Sequence, residues 1–171
     1  MPTSRQSSLT SVHDPTRSSG CHSRCIRERY RSPTTSLIGA SQLCPSGQLW
    51  EFRADDTAGV SDYLNAVDKY VVSSTLTEPG WQNSAVLRGP LVDEVEALKA
   101  APGRDIVTTG SIRLVHALIA ANLVDEFRLF VFPVAVGRGA RLFDSAREDL
   151  ELLEMRPFTS GVVLLRYAPK R

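Results

Sequence analysis

Two short runs of this chain carry groups suited to holding an anion. In the first, an apolar β run, Asp105–Thr109, passes through Thr109-Gly110-Ser111 into a helical pattern beginning with Ile112 and Arg113. Gly110 permits close approach or a positive φ, and Ser111 can cap the helix through its hydroxyl. The amides of Ser111, Ile112 and Arg113 then face whatever lies beyond the strand end, and the helix dipole favours negative charge there. A plain strand-to-helix turn accounts for the same residues, and one Gly-Ser pair is a weak signal by itself. The second run, Ser73-Ser74-Thr75, lies at the carboxyl end of another predicted strand. Ligands of open α/β sheets collect at such ends, and three hydroxyls there suit a ribose or its 2′-phosphate. Turn chemistry ahead of Thr77-Glu78-Pro79-Gly80 is the simpler explanation of those hydroxyls.

Other candidates carry less. Gly137-Arg138-Gly139 offers backbone amides, with Arg138 or Arg141 beside them, or a flexible turn that returns Leu142 and Phe143 to the core. Cys21-His22-Ser23-Arg24-Cys25 lacks the second pair of ligands a zinc site needs, so no metal is expected. His116 sits beside the apolar face of its helix, where a packed or exposed histidine is commoner than a catalyst. No nucleophilic triad and no paired carboxylates follow from the spacing, so the catalytic residues stay unknown. Asp125-Glu126 read as charges at a sheet edge.

The chain's totals frame these runs. With 171 residues, 42% apolar and 23% charged, it suits one domain with a real core. A net charge of +1 does not indicate a nucleic-acid partner, and no apolar run reaches the length of a membrane span. Three cysteines, all before position 45, make no disulfide framework; a reducing, cytoplasmic setting is expected. The texture breaks near Leu49–Trp50. Residues 1–48 are rich in Ser, Thr, Arg and Pro, contain no Lys, and show little periodicity. They are expected to form a disordered or non-homologous arm, apart from a short strand or turn around Ser36–Ala40. Their composition also suits a transit peptide, a basic arm around Arg24, Arg27, Arg29 and Arg31, or translation out of frame.

From residue 49 to 171 a folded domain is expected. Val60–Ala66 is a short helix, and Lys69–Ser74 and Ala85–Leu87 are strands. Leu91, Val92, Val95 and Leu98 recur at helical spacing up to Pro102-Gly103. After strand Asp105–Thr109, helix Ser111–Ala121 presents Leu114, Val115, Leu118 and Ile119. Asp125–Val136 reads as a long central strand, with Pro133 marking an edge, a bulge or a kink. Leu150–Phe158 and Gly161–Ala168 form an antiparallel hairpin through Thr159-Ser160. The order gives an α/β sandwich with a mainly parallel sheet and an antiparallel end.

Several words of this chain, in order, resemble the dihydrofolate-reductase-like superfamily, in the branch of the riboflavin-biosynthesis reductase (RibD C-terminal) domain. They are Lys69-Tyr70-Val71-Val72-Ser73-Ser74-Thr75-Leu76, Asp105-Ile106-Val107-Thr108-Thr109-Gly110-Ser111, Leu123-Val124-Asp125-Glu126-Phe127-Arg128-Leu129, the run Pro133–Phe143, and Phe158–Tyr167. The resemblance implies a three-layer sandwich and a reductase moving hydride from NADPH to a small heterocycle, typically pterin-like or a pyrimidine. It implies that Thr109, Gly110, Ser111, Ile112 and Arg113 hold the cofactor's pyrophosphate and that Ser73, Ser74 and Thr75 meet its adenosine 2′-phosphate. Thr75 stands where the family has an arginine, which leaves NADH possible, and Thr109 stands where stricter members have a first glycine. The family's opening strand, its Ser-x-Asp-Gly-like loop and its Gly-Arg-x-Thr-like word have no convincing counterpart in residues 1–50, so the first part of the fold is expected to be missing or replaced. A small heterocyclic substrate and a homodimer are the expected partners, with no nucleic acid and no membrane. The alternative function is an inactive nucleotide-binding or dimerisation domain.

Overall fold

The computed structural model describes residues 7–10, 35–39, 60–103, 105–109, 111–143 and 149–170. Eight strands lie within them: β1 Ser7–Thr10, β2 Thr35–Gly39, β3 Asp68–Val72, β4 Ser84–Leu87, β5 Ile106–Thr109, β6 Glu126–Val131, β7 Leu150–Pro157 and β8 Val163–Pro169. The described helices are α1 Val60–Ala66, α2 Leu91–Ala100 and α3 Ile112–Ala120. All strands join one sheet in the order β4-β3-β2-β5-β1-β6-β8-β7. β1 to β6 run parallel, while β8 is antiparallel to β6 and β7 to β8. This is the expected α/β fold, with its mainly parallel sheet and C-terminal hairpin.

Strands β2 and β5 carry buried side chains on both faces, as parallel strands inside a covered sheet do. Leu37, Ile106 and Phe127 pack with Leu114, Val115, Leu118 and Ile119 of α3 and Val95 of α2. The four α3 residues are those its periodicity selects. On the opposite face Val71 and Val107 are also fully covered. Right-handed crossovers account for the layering. The chain moves outward from β2 to β3 but in the other sense from β4 to β5 and from β5 to β6. This sets α1 on one face and α2 with α3 on the other. Lys69 serves the α1 face: its Nζ donates to the carbonyls of Leu64 (2.7 Å) and Val67 (2.8 Å) and lies 4.8 Å over the Trp81 ring. It therefore satisfies carbonyls that the end of α1 leaves without partners.

Three expectations need correction. Residues 1–48 do not all stand outside the fold. Ser7–Thr10 pairs with both β5 and β6, and Thr35–Gly39, where a short strand or turn was expected, pairs with both β3 and β5. The opening strands of the sheet are thus present. Runs of four or five residues are too short to show a period. Their neighbours, not their own apolar content, make them interior strands. Next, β6 ends at Val131 rather than Val136, and Val134 and Val136 are exposed. Pro133 cannot donate to a ladder, which ends the pairing.

Last, Glu126 is not an edge charge. It is 7% exposed on an interior strand and accepts hydrogen bonds from Arg128 Nε (2.7 Å), Arg166 Nε (2.7 Å) and Arg166 Nη2 (2.8 Å). Arg166 Nη1 also reaches Glu154 (2.9 Å), so the cluster ties β6, β8 and β7 together. Burial alone would raise the Glu126 pKa; the hydrogen bonds from Arg166 and Arg128 outweigh it and hold the carboxyl below its ordinary value. Asp125 instead pairs with Lys99 of α2 at 2.6 Å.

Candidate functional site

The connection after β2 leads to β3 on one side, and the connection after β5 leads past β1 to β6 on the other. The carboxyl ends of β2 and β5 therefore flank a topological switch point, where open α/β sheets form their ligand crevice. Thr109 closes β5, and Gly110 lies outside the described residues. Ser111 is the N-cap of α3, with its carbonyl accepting from Val115 N at 3.0 Å. The amides of Ile112 and Arg113 belong to the first turn and have no intrahelical acceptor.

Ser111 does not behave as its residue type suggests. It makes no side-chain capping hydrogen bond, and its backbone is left-handed, φ 51° and ψ 75°. A cap hydroxyl bonds the second or third helical amide from an extended backbone; a left-handed one aims the side chain elsewhere. Here the Ser111 side chain packs onto Gly39, the last residue of β2. A Cβ added to Gly39 would collide with Ser111 Oγ and stand 2.7 Å from Ser111 Cβ. A close backbone approach is thus required at Gly39; the one expected of Gly110 falls outside the described residues. The left-handed residue holding α3 against β2 is costly for a non-glycine side chain, and such strain concentrates at functional sites.

Gly39 pairs with Val72 in the β2–β3 ladder, and Ser73 follows Val72. Adjacent strands are about 4.8 Å apart, so the ends of β3 and β5, two strands apart, lie roughly 10 Å from each other. The Ser73–Thr75 and Ser111–Arg113 segments consequently share one edge of the sheet with Gly39 between them. Ser73 is engaged in the turn: its Oγ accepts from the amides of Thr75 (3.3 Å) and Leu76 (3.0 Å). Ser74 and Thr75 are exposed. Arg88, just after β4, donates from Nη2 to the carbonyls of Leu76 (2.9 Å) and Thr77 (3.2 Å) and braces the same turn. Arg88 and Gly39 were not singled out from sequence. A glycine ending a short apolar run at Gly39 was the available signal; nothing local marks Arg88.

Gly137 and Gly139 both adopt positive φ in the exposed segment that follows β6. His116 Nε2 lies 2.9 Å from the carbonyl oxygen of Arg141, joining α3 to that segment. His116 thus has a structural partner. Cys21, His22, Cys25, Cys44, His13 and Asp14 lie outside the described residues. Among the described residues no group of His, Cys, Asp and Glu could hold a metal ion, and no helix is long and apolar enough to cross a membrane.

Known proteins share this fold. The fold matches a putative riboflavin biosynthesis protein from Shewanella sp. PV-4 (TM-score 0.64, 16% identity, 98% of this chain and 99% of that one). It also matches a pyrimidine reductase-like protein from Corynebacterium diphtheriae (TM-score 0.57, 16% identity, 99% and 92%). A third match is RibD of Acinetobacter baumannii (TM-score 0.58, 14% identity, 99% and 59%). In sequence the chain is 39% identical over 107 residues to the uncharacterised protein YyaP of Bacillus subtilis strain 168. That match covers 61% of this chain and 56% of YyaP, so the chain spans a little over half the length of this relative. The family model for the RibD C-terminal domain matches residues 11–164, reaching back through the stretch expected to be foreign to the fold. With the sheet order and this match in agreement, the chain belongs to the RibD C-terminal domain family, of dihydrofolate-reductase-like fold.

Proposed function

We propose that this chain is an NADPH-dependent reductase that delivers hydride to an electrophilic carbon of a small heterocycle, of the pyrimidine or pterin class. The observation that supports this most is the switch-point edge, where the start of α3, Gly39 and the hydroxyl turn after β3 stand side by side. Its donor set suits a dinucleotide. In this reading the amides of Ser111, Ile112 and Arg113, with Thr109 and Gly110 before them, hold the diphosphate at the positive end of the α3 dipole. Ser74 and Thr75 meet the adenosine ribose or its 2′-phosphate, while Ser73 keeps the turn closed. Arg88 supplies positive charge beside that turn in place of the arginine absent at position 75. NADH is also accepted on this reading, because Thr75 carries no charge.

When bound, the nicotinamide supplies the hydride. The protein's part is to fix the dinucleotide and to keep its reactive ring about 3–3.5 Å from the substrate carbon. The test is turnover. The full chain with NADPH and a panel of oxidised pyrimidines and pterins should consume reduced nicotinamide faster with at least one substrate than without any. Saturable NADPH binding with no turnover across the panel would instead favour a nucleotide-binding domain without catalysis.

A further inference from the structure

We infer that Val134–Ala140 is a strap that closes over the reactive half of the crevice when a dinucleotide is bound, and that His116 is the positioning residue holding the strap's far end. The inference rests on the dinucleotide reading of the switch-point edge. It gives a task to Gly137-Arg138-Gly139, which that reading leaves idle.

Register places the strap beside the crevice. Thr10 pairs with Thr109 of β5 on one side and with Arg128 of β6 on the other. β5 ends at Thr109, but β6 runs on to Val131. At about 3.3 Å per residue, β6 rises roughly 10 Å past the level where β5 stops. With β1 between them, the two strands also stand roughly 10 Å apart sideways. The end of β6 is thus a wall on one flank of the crevice, and the hydroxyl turn after β3 lies on the other flank. A dinucleotide with its adenosine at that turn and its diphosphate at the start of α3 extends its nicotinamide toward the wall.

Both ends of the strap are fixed. At the near end Phe132 packs against Phe130, Val162 and Leu164, and its carbonyl accepts from the Val134 amide at 2.8 Å. At the far end the Arg141 carbonyl meets His116 Nε2 at 2.9 Å. Leu142 and Phe143 then return to the core, with Phe143 edge-on to Phe127 at 5.2 Å between ring centres. Between these anchors the chain is loose: among the described residues, Ala135–Ala140 have no hydrogen-bond or ion-pair partner. Val134 and Val136 are 64% and 69% exposed. Gly137 and Gly139 have φ of 77° and 152°, and a Cβ on either would meet nothing within 4 Å. Packing does not require glycine there; backbone freedom does.

Fully extended, Val134–Ala140 would span about 23 Å, so the strap has slack to swing toward the crevice. Closing covers its two valines with the bound ring, which the hydrophobic effect favours, and keeps water from the reacting carbon. Arg138, carried between the glycines, brings positive charge toward the dinucleotide's phosphates. Without the His116 bond the free segment lengthens, and closing it costs more chain entropy.

The experiment is limited trypsin digestion of the folded chain, with the cut after Arg138 followed by mass spectrometry. Saturating NADPH should slow that cut about tenfold, the ratio expected when about nine-tenths of the bound chains are closed. Adenosine 2′,5′-bisphosphate, which supplies the adenosine half alone, should leave the rate unchanged. His116→Ala should reduce the protection by NADPH to about threefold or less. His116→Gln, whose amide can still donate to the Arg141 carbonyl, should restore it. A generally loosened fold speeds the cut with and without NADPH alike, so the ratio isolates the strap. NADPH binding seen by calorimetry with Arg138 left unprotected would overturn the strap and spare the cofactor reading. Equal protection by the bisphosphate would overturn its place over the reactive half, and full protection kept in His116→Ala would overturn the role of His116. No NADPH binding at all would remove the cofactor reading and the strap with it.

Discussion

Replacing Gly39 by Ala should destabilise the fold through a single contact, the one with Ser111. The new Cβ would stand 2.7 Å from Ser111 Cβ, about 0.7 Å short of the 3.4 Å where ordinary van der Waals contact begins, and would overlap Oγ outright. The start of α3 would have to move away from β2. Forcing one extra carbon into a packed junction costs about 1–3 kcal/mol. Because Ser111 ends a strand-to-helix connection that can yield, a value near 2 kcal/mol is expected. Ser111→Gly removes both colliding atoms and relieves the left-handed backbone at φ 51°. Alone it should be neutral or stabilise by up to about 1 kcal/mol. In the double variant the next neighbour of the new Cβ is Leu114 Cβ at 3.8 Å, an ordinary contact. The two changes should therefore couple by about 1–2 kcal/mol in a double-mutant cycle. Urea unfolding followed by circular dichroism measures all four chains. Gly39→Ala within about 0.5 kcal/mol of wild type, or a double variant no more stable than Gly39→Ala, would refute the packing argument.

Three further outcomes follow from the same structure. The Glu126 carboxyl titrates below its unfolded value of about 4.3, so its stabilisation is complete above that pH and is lost as pH falls through the folded value. Glu126→Gln should cost about 2–4 kcal/mol at pH 7 by leaving Arg128 and Arg166 without their shared counter-charge. It should also flatten the acid limb of stability against pH; an unchanged acid limb would count against the assignment. Lys69→Ala removes two hydrogen bonds, to the carbonyls of Leu64 in α1 and of Val67 just after it, and should cost about 2–4 kcal/mol in denaturant melts, with a loss under about 1 kcal/mol arguing that water replaces it. Arg88→Ala releases the carbonyls of Leu76 and Thr77. It should weaken NADPH more than NADH in direct titrations, and equal weakening would leave Arg88 a brace for the turn alone.

The legible parts of the fold were those with a period long enough to read. α3 spans almost three turns, and the spacing of Leu114, Val115, Leu118 and Ile119 alone marks its buried face. The β7–β8 hairpin alternates over seven or eight residues around a Gly-containing turn. By contrast β1, Ser7-Ser8-Leu9-Thr10, contains one large apolar residue. It belongs to the sheet because β5 and β6 flank it, and no local pattern encodes that. Glu126 looked like an edge charge because its partner Arg166 lies forty residues away and meets it only across the β6–β8 ladder. At the candidate site the segments Ser73–Thr75 and Ser111–Arg113 were legible as strand ends. Their juxtaposition depends on β2 between them, and although a short strand or turn was legible around Ser36–Ala40, nothing in its own residues places it between β3 and β5. The Ser111 hydroxyl was misread because capping statistics assume an extended N-cap backbone, and the packing against Gly39 imposes a left-handed one.

Calorimetric titration of the folded chain with NADPH, repeated with NADH, puts the switch-point site to its plainest trial. The account predicts saturable binding of one dinucleotide per chain, weaker for NADH and weakened further in Gly39→Ala. Absence of binding by either dinucleotide, or NADPH binding unaffected by Gly39→Ala in a chain where that change does displace α3, would contradict it.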